Sequence, residues 1–329
     1  MVKNLIAITD CELPRTEALE TLRGEGYEVV EVDSRRPEDI IRLAREASGL
    51  VVQWADITAE IMDELPRLRI ISRLGIGCDM IDVPAATARG VAVANTPSYC
   101  IEEVATHTLA MILSLVRGLP AHDAAMKAGE WEPTRSQPMA DRPSATCVAV
   151  IGYGRIGRLV AQYCSALGFR VVVSDPFVEP ETIARAGLQA VTFEQALDRA
   201  DVLTLHVPLT DETHHVVGES ALARLRQGAV LVNTCRGQLV DEDALVRSLS
   251  QGHLGAAALD VYEQEPLADR SPLRDLQNVL LSPHAAWHSP EAIVSLPRDA
   301  VENVRNFFGG EQGSANIINT GYSDALVAE

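Results

Sequence analysis

Residues 147–175 read CVAVIGYGRIGRLVAQYCSALGFRVVVSD, and this stretch decides the fold of the chain. An apolar run at residues 148–151 leads into the glycine-rich turn at residues 152–157, and a second apolar run ends in Asp175. A strand, a glycine turn, a helix and a second strand with a terminal acid, in this order, are typical of the opening of a dinucleotide-binding unit. The stretch therefore predicts a Rossmann domain.

Each glycine of the turn has a physical task. Gly152 allows the tight turn after the strand, Gly154 lets the backbone approach a pyrophosphate, and Gly157 lets the helix pack close to the strand. The amino end of that helix favours an anion. Asp175 follows Gly157 by 18 residues, where a carboxylate can accept hydrogen bonds from the adenosine ribose. Because Asp175 would repel a 2′-phosphate and no arginine follows it directly, the sequence predicts NAD rather than NADP.

The composition limits the possible partners. At 329 residues the chain is long enough for two domains. Its net charge of −18 argues against a surface for nucleic acid or for an anionic membrane, because both need clustered cations. No apolar run approaches the roughly 18 residues of a membrane span, and the N-terminus lacks a signal-peptide pattern. We therefore expect a soluble, cytoplasmic protein with no nucleic-acid or membrane partner.

The cysteines and histidines give no metal-site pattern. The six cysteines are scattered without a C-x-x-C pair, so reduced thiols are expected rather than a disulfide frame or a zinc site. His214 and His215 are adjacent, and neighbouring side chains point apart on a strand or a helix. We interpret this pair as structural and predict no metal.

Strand and helix patterns alternate along the chain and predict an α/β protein of two doubly wound, parallel-sheet domains. Six parallel strands are expected from residue 147 onward, after a long helix at residues 101–117 and an irregular, proline-rich connection at residues 129–146. A last helix at residues 290–308 is expected to pack back onto the first domain. The predicted domains are a discontinuous, flavodoxin-like substrate domain at residues 1–118 and 288–329, and an NAD-binding Rossmann domain at residues 119–287.

Polar side chains follow three successive strands at the sheet edge where this fold binds ligands. Arg236, Glu265 and His284 each come shortly after an apolar, strand-like run. A guanidinium can bind a carboxylate through two hydrogen bonds and polarise the adjacent carbonyl, and an imidazolium favoured by a nearby carboxylate can donate a proton as hydride arrives. The three residues together predict reduction of a 2-oxo acid, with alcohol oxidation as the reverse reaction.

The whole chain resembles the D-isomer-specific 2-hydroxyacid dehydrogenase family. The matching segments are LGIGCDMID (74–82), IGYGRIG (151–157), LHVPLTDET (205–213), NTCRGQLVDEDAL (233–245), ALDVYEQEP (258–266) and SPHAAW (282–287). The resemblance implies that Arg236 binds substrate, that Glu265 is the acid paired with the histidine, and that His284 is the proton donor. It also implies that Ile76 and Gly77 receive the substrate carboxylate.

The resemblance extends to further contacts. Arg73, just before the Gly75 loop, is either a solvated arginine or a second cation for the substrate carboxylate. Asp260 is expected to accept a hydrogen bond from the nicotinamide carboxamide. The implied cofactor-binding residues are Thr108, Gly152, Gly154, Arg155, Ile156, Gly157, Asp175, His206, Val207, Pro208, Thr213, Thr234, Cys235, Asp260, His284 and Ala286.

Within the family, SPHAAW looks most like the C-terminal-binding-protein (CtBP) branch, and Trp287 is expected to wall the pocket and favour an apolar substrate side chain. The leading hypothesis is a homodimeric, NAD-dependent enzyme for a small 2-oxo or 2-hydroxy acid. One alternative is an NADH-responsive, CtBP-like corepressor that binds proteins. Another is a short phosphoglycerate dehydrogenase, disfavoured by the few residues after the last predicted helix, which leave no room for a regulatory domain.

Overall fold

A computed structural model describes residues 4–132, 141–310 and 312–322. It divides into two compact units. The first consists of Met1–Cys100 and His288–Glu329, and the second is Ile101–Trp287. The expected helix at residues 101–117 therefore groups with the second unit, whereas the sequence placed the boundary after residue 118. The reason is that this helix packs against elements of the second sheet.

The first unit contains a five-stranded sheet in which all neighbouring strands are parallel, in the order β2-β1-β3-β4-β5. This is the flavodoxin-like order. The β-branched and alanine-rich strands β1, β3, β4 and β5 are mostly buried, as expected of a parallel sheet covered on both faces. The strands are β1 Leu5–Ile8, β2 Glu28–Glu31, β3 Gly49–Val52, β4 Ile70–Arg73 and β5 Ala92–Ala94.

Five α-helices lie in the described part of the first unit. They are α1 Thr16–Gly24, α2 Pro37–Ala44, α3 Ala59–Asp63, α4 Val83–Ala88 and α12 Pro290–Phe308. The long helix α12 starts at a serine cap, since Ser289 Oγ accepts a hydrogen bond from Ala292 N at 2.9 Å. It packs on α1, β3 and β4 and buries Leu296, Val304 and Phe307. Its apolar spacing made it predictable, and its packing on the first sheet follows the expectation.

The second unit contains a seven-stranded, all-parallel sheet in the order β12-β11-β10-β9-β6-β7-β8. The order is that of a Rossmann sheet with one added strand, so the predicted fold class is confirmed. The prediction of six strands was wrong by one, because β8 has only two residues. The strands are β6 Cys147–Ile151, β7 Arg170–Ser174, β8 Gln189–Ala190, β9 Val202–Leu205, β10 Val230–Asn233, β11 Ala256–Leu259 and β12 Val279–Leu281.

The helices of the second unit are α5 Ile101–Val116, α6 Leu119–Lys127, α7 Arg155–Ala166, α8 Pro180–Arg185, α9 Phe193–Arg199, α10 Glu219–Arg224 and α11 Glu242–Ser250. The sequence reading missed α6, because Gly118 and Pro120 look like a stop. Gly118 does end α5, with φ of 62°, but Pro120 lies in the first turn of α6, where proline is tolerated. Part of the connection expected at residues 129–146, residues 133–140, lies outside the described residues.

Across residues 4–132, 141–310 and 312–322, no single helix combines the length and the apolar content needed to cross a bilayer. Only α5 and α6 taken together pass that test, by length and composition alone, and the pair is bent by 61°.

Candidate active site

The glycine turn lies at the carboxyl end of β6, and packing explains two of its glycines. Gly152 has φ of 94°, and a Cβ there would lie 2.3 Å from the carbonyl oxygen of His206. A Cβ on Gly157 would lie 2.1 Å from the carbonyl oxygen of Gly152. By contrast, a Cβ on Gly154 would meet no atom within 4 Å. Gly154 therefore borders open space at the start of α7, where Arg155 and Ile156 are the first helical residues.

Asp175 ties the end of β7 to the glycine turn. Its Oδ2 accepts a hydrogen bond from Tyr153 N at 2.7 Å, and its Oδ1 accepts one from Phe177 N at 2.9 Å. Each carboxylate oxygen keeps a second lone pair. The acid can therefore hold the turn and still accept from a ribose hydroxyl.

His206 follows β9, next to β6 at the point where the strand order reverses. Its Nε2 lies 3.0 Å from Thr204 Oγ1, and burial lowers the pKa of His206 to about 3. Its buried Nδ1 has no hydrogen-bond partner among the described residues. A neutral imidazole with an unused ring nitrogen thus stands beside the glycine turn, where the fold binds dinucleotides.

The segment after His206 is organised by Thr213. Its hydroxyl donates to the carbonyl oxygen of Pro208 at 2.7 Å and accepts from Thr210 N at 2.8 Å. Val207 is half-buried and Pro208 is exposed. The Thr213 side chain therefore shapes the loop, and Val207 and Pro208 form its first surface after β9.

Thr108 of α5 and Thr234 after β10, two residues expected to bind the cofactor, are in contact. Their hydroxyl oxygens are 2.8 Å apart. Thr108 donates its proton to the carbonyl oxygen of Val104 at 2.7 Å, so the Thr234 hydroxyl must be the donor to Thr108. Next along the chain, Cys235 Sγ donates to the carbonyl oxygen of Leu205 at 2.9 Å, and burial raises the pKa of this thiol to about 12. Cys235 is therefore a neutral packing group.

Arg236 is held at the carboxyl end of β10 by hydrogen bonds with Asn233 and Cys235. Its carbonyl oxygen accepts from Asn233 Nδ2 at 2.7 Å, and its Nη1 donates to the carbonyl oxygen of Cys235 at 2.7 Å. Gly237 follows, and a Cβ there would lie 1.8 Å from the backbone carbon of Tyr262. Only glycine lets the loop after β10 press this closely on the loop after β11, which carries Glu265.

Glu265 and His284 are hydrogen-bonded across two neighbouring loops. Glu265 Oε2 lies 2.7 Å from His284 Nδ1, and Glu265 Oε1 accepts from Tyr262 N at 3.1 Å. Burial raises the pKa of Glu265, but the hydrogen bond and charge of His284, the Tyr262 N–H and the charge of Arg236 together leave this pKa below its usual range. The carboxylate is thus ionised and fixes the imidazole by Nδ1, with Nε2 on the opposite side of the ring.

Asp260 fixes the backbone around His284. It is 1% exposed, and it accepts hydrogen bonds from Ala285 N at 2.9 Å, Ala286 N at 2.9 Å and the Ser282 hydroxyl. The sequence reading expected Asp260 to bind the carboxamide and missed these three donors. It also missed His107, whose Nε2 lies 3.1 Å from Ser282 Oγ. Asp260 is therefore foremost a positioning residue for the loop that carries His284.

A second acidic link joins the loop after β11 to the start of α11. Glu242 N donates to Glu263 Oε1 at 3.1 Å, Glu263 N donates to Glu242 Oε1 at 2.6 Å, and His215 Nε2 lies 2.7 Å from Glu263 Oε1. The reading of His214 and His215 as side chains that point apart was wrong. Their rings stack with centroids 4.0 Å apart, because His215 has φ of 51° and lies in a turn rather than a strand or helix.

Replacing Glu242 with glutamine is expected to raise the melting temperature more at about pH 8 than at about pH 5. Burial raises the pKa of Glu242, and burial together with the nearby acids outweighs the lowering effect of the hydrogen bond from Glu263 N. With a folded-state pKa above the unfolded value, the wild type loses stability as pH rises through that interval. Glutamine keeps the acceptor oxygen and removes the charge. Thermal unfolding at both pH values measures the effect.

The matched control is Glu219→Gln, because Glu219 has a side chain that is 83% exposed, 3.8 Å from Arg247. The same gain at both pH values for Glu242→Gln, or an equal pH-dependent gain for Glu219→Gln, would contradict this account.

The loop after β4, in the first unit, carries the residues expected to bind the substrate carboxylate. Gly75 N donates to Thr96 Oγ1 at 2.7 Å, and Asn95 Nδ2 donates to the carbonyl oxygen of Ile76 at 2.7 Å. Within the described residues, the backbone N–H groups of Ile76 and Gly77 donate no hydrogen bond. These two neighbouring donors suit a carboxylate.

Arg73 is not a solvated residue, so that alternative was wrong. It is 4% exposed, its guanidinium carbon lies 5.5 Å from the Trp54 ring centroid, and its Nη1 stands 1.0 Å from where a Gly75 Cβ would be. Gly75, with φ of 143°, therefore makes room for a buried guanidinium at the base of the loop.

The comparisons with known proteins match this geometry to one family. Residues 109–286 match the family model described as "D-isomer specific 2-hydroxyacid dehydrogenase, NAD binding domain". The chain belongs to the D-isomer specific 2-hydroxyacid dehydrogenase family. The predicted family and the predicted NAD cofactor are thereby confirmed, since the matched domain is the family's NAD-binding domain.

Relatives within the D-isomer specific 2-hydroxyacid dehydrogenases differ in length. The chain is 39% identical over 308 residues to the D-3-phosphoglycerate dehydrogenase of Mycobacterium tuberculosis, and the aligned residues cover 93% of this chain but only 57% of that protein. It is 38% identical over 312 residues to the glyoxylate reductase of Aeropyrum pernix, covering 92% of both. The solved structure of D-lactate dehydrogenase from Aquifex aeolicus, complexed with NAD and lactic acid, has a TM-score of 0.85 at 28% identity, covering 96% of this chain and 99% of that one.

Proposed function

We propose that the protein is an NAD(H)-dependent oxidoreductase that interconverts a small 2-oxo acid and the D-2-hydroxy acid. The observation that carries this proposal is the 2.7 Å pair of Glu265 and His284, which shares the carboxyl edge of one sheet with Arg236 and the glycine turn. NAD fits the residues present, because Gly154 borders open space and the buried Nδ1 of His206 has no partner among the described residues.

Arg236, Glu265 and His284 have separate roles in the proposed reaction. NADH, when bound at the glycine turn, would supply the hydride for the carbonyl carbon of the 2-oxo acid. The carbonyl electron pair moves onto its oxygen, and protonated His284 donates the proton there, so that a neutral imidazole and a 2-hydroxy acid result. Arg236 binds the substrate carboxylate and polarises the carbonyl. Ionised Glu265 favours the protonated imidazole before transfer. In the oxidation direction, neutral His284 accepts the alcohol proton.

The loop at residues 75–77 is proposed to take part in substrate binding. The unused N–H groups of Ile76 and Gly77 support a carboxylate site, and the buried guanidinium of Arg73 adds positive charge at the base of the loop. Trp287, half-buried at the end of the second unit, is proposed to contact the substrate side chain.

A substrate panel tests the proposed reaction. The named relatives act on different acids, so NADH oxidation should be followed at 340 nm with glyoxylate, hydroxypyruvate, pyruvate, phenylpyruvate and branched 2-oxo acids, and NAD reduction with 3-phosphoglycerate. We expect turnover of at least one small 2-oxo acid. Turnover only of 3-phosphoglycerate would favour the phosphoglycerate dehydrogenase alternative. If the protein binds NADH but turns over none of these acids, the proposed enzyme activity is refuted.

Replacing Arg236 with lysine is expected to lower kcat/KM by about 10²–10³-fold. Lysine keeps the charge but cannot form the two parallel hydrogen bonds that a planar guanidinium offers to a carboxylate. Steady-state kinetics with the best substrate of the panel measures the loss. Arg224→Lys is the control, since Arg224 makes a bidentate pair with Asp198 on the protein surface. A kcat/KM of Arg236→Lys within threefold of the wild type would remove Arg236 from the mechanism.

Replacing Asp175 with asparagine is expected to reduce the preference for NADH over NADPH by about tenfold. Asparagine retains one acceptor for the Tyr153 or Phe177 N–H groups and removes the charge that repels a 2′-phosphate. The Kd of each cofactor, from fluorescence titration, measures the ratio. An unchanged ratio together with weaker binding of both cofactors would show that Asp175 only supports the turn.

The finer predictions remain proposals. The CtBP-like placement and its corepressor function depend on the resemblance of residues 282–287, while the named relatives are phosphoglycerate dehydrogenases and glyoxylate reductases. A homodimer is tested by light scattering, and the cytoplasmic location by fractionation. The assignment of the first unit to substrate binding and of the second to NAD is part of the same proposal.

A further inference from the structure

A cavity of about 530 Å³ opens at the amino-terminal edge of the seven-stranded sheet. Its walls include the first residues of β6 and β7, Cys147 and Arg170, and a strand residue of β8, Gln189. The glycine turn and Asp175 follow the opposite ends of β6 and β7. The cavity is therefore separate from the proposed cofactor site in the same unit.

Three guanidinium groups line this cavity, from Arg170, Arg199 and Arg226. One carboxylate, Asp201, serves two of them, with its oxygens 3.1 Å from Arg226 Nη1 and 3.8 Å from Arg170 Nη2. Asp201 is itself fixed, because its Oδ2 accepts from Cys147 N at 2.7 Å. Arg170 and Arg226 also donate to the carbonyl oxygens of Ala145 at 2.6 Å and Asp198 at 3.1 Å, so both are anchored, although their side chains are 59% and 52% exposed.

Arg199 differs from the other two. It is half-buried, and within the described residues it makes no ion pair and no hydrogen bond through its side chain. The nearest acid in sequence, Asp198, is occupied by Arg224, whose Nε and Nη2 each donate to it at 2.7 Å. Three cations therefore line one cavity: Asp201 pairs with two of them, and Asp198, which is bound by Arg224, acts on Arg199 only through its charge.

This local excess of positive charge contrasts with the negative net charge of the chain. The sequence has 46 acidic and 28 basic residues, for a net charge of −18, so solubility does not require cations at this edge. Neighbouring like charges destabilise a fold, and such a cluster is retained at a cost unless an anion neutralises it. The same net charge repels long polyanions, which leaves small anions as the matching class.

The remaining walls restrict the ligand further. Phe169, Val171 and Leu188 give the cavity an apolar side. Burial raises the pKa of the Cys147 thiol and outweighs the opposing charges of the arginines, so Cys147 is a neutral wall residue and not a nucleophile. The cavity therefore has the features of a binding site without those of a reaction site.

We propose that this cavity is a second anion site, which binds a small phosphate monoester through Arg170, Arg199 and Arg226, with the ester's carbon part against Phe169 and Leu188. Arginine guanidiniums suit phosphate because they donate paired hydrogen bonds. The site does not depend on the proposed enzyme activity.

Isothermal titration of the full chain, with saturating NADH present to occupy the cofactor site, tests the proposal with inorganic phosphate and glycerol 3-phosphate as probes. We expect saturable binding of both, tighter for the ester. Arg199→Gln should weaken both by about tenfold or more. In phosphate-free buffer of low ionic strength, the same variant should melt at or above the wild-type temperature, because it removes an unpaired cation. Arg247→Gln, outside the cavity and 3.8 Å from Glu219, is the control and should bind the probes as the wild type does.

Other outcomes overturn the proposal. These are an absence of saturable binding in the wild type, binding unchanged in Arg199→Gln, and binding lost in Arg236→Lys instead, which would place the anion at the proposed active site. Succinate in place of glycerol 3-phosphate identifies the head group, and equal binding of the two would contradict a phosphate-specific site.

Discussion

Replacing His284 with glutamine is expected to lower kcat for 2-oxo acid reduction by about 10³-fold, with a much smaller change in the Kd for NADH. Glutamine can donate a hydrogen bond but cannot give up a proton to the developing alkoxide. Its amide can still reach Glu265, so the neighbouring loops stay in place. Stopped-flow measurement of single-turnover NADH oxidation separates the chemical step from product release.

His253→Gln is the matched control, because His253 Nε2 lies 3.0 Å from the carbonyl oxygen of Leu222, away from the loops after β10, β11 and β12. It should keep kcat within about twofold. Equal losses for the two variants would mean that the His284 effect is structural.

Glu265→Gln provides the pH test of the same pair. Glutamine keeps an acceptor for Tyr262 N–H and removes the charge that favours the protonated imidazole. Because the pKa of Glu265 lies below its usual range, the wild-type carboxylate is ionised through the neutral range. Reduction by the variant should therefore fall off at lower pH than reduction by the wild type, and oxidation should become active at lower pH. A profile that only drops in height, without moving along the pH axis, would contradict this role.

Local patterns predicted most of the fold. The strand, turn and helix at residues 147–166 and the helix α12 follow from apolar spacing and glycine positions, which are properties of neighbouring residues. The strand β8 was not predicted because it is only two residues long. The helix α6 was not predicted because it begins with residues that also terminate helices. Short elements are decided by the sheet or helix that they pack on, and single-sequence patterns do not contain that information.

In the candidate site, too, some residues could be predicted from local patterns and others could not. Arg236, Glu265 and His284 could be found because each follows an apolar strand, and the fold brings such positions to one edge. The contacts around Asp260 could not, since Ser282, although part of the SPHAAW segment, and His107 are brought together with it only by the folded unit. The sequence did contain one sign that the loops after β10 and β11 lie close together, the glycine directly after Arg236. A Cβ on Gly237 would collide with the backbone of Tyr262. The sequence left Arg73 open between a solvated arginine and a second cation for the substrate, because burial of a guanidinium depends on Gly75 and Trp54 together.

Replacing Gly152 with alanine is expected to lower the free energy of unfolding by about 3 kcal/mol or more, which corresponds to a drop of about 6–12 °C in melting temperature. Alanine at φ of 94° is strained, and its Cβ would stand 2.3 Å from a backbone oxygen that cannot move without shifting the end of β9. Gly154→Ala is expected to behave in the opposite way. Its Cβ meets no atom within 4 Å, so the melting temperature should stay within about 1–2 °C.

The contrast between these two glycines separates folding from cofactor binding. If the open space at Gly154 is where the pyrophosphate approaches the backbone, Gly154→Ala should raise the Kd for NADH about tenfold or more while the apo protein stays intact. The stabilisation that NADH gives to the wild type should shrink by the same free energy, because ligand-induced stability follows the Kd. Thermal unfolding with and without NADH therefore measures both effects in one experiment. A Gly154→Ala protein that binds NADH as tightly as the wild type would move the cofactor away from the glycine turn, whereas a Gly152→Ala protein of wild-type stability would show that the turn can adopt another conformation.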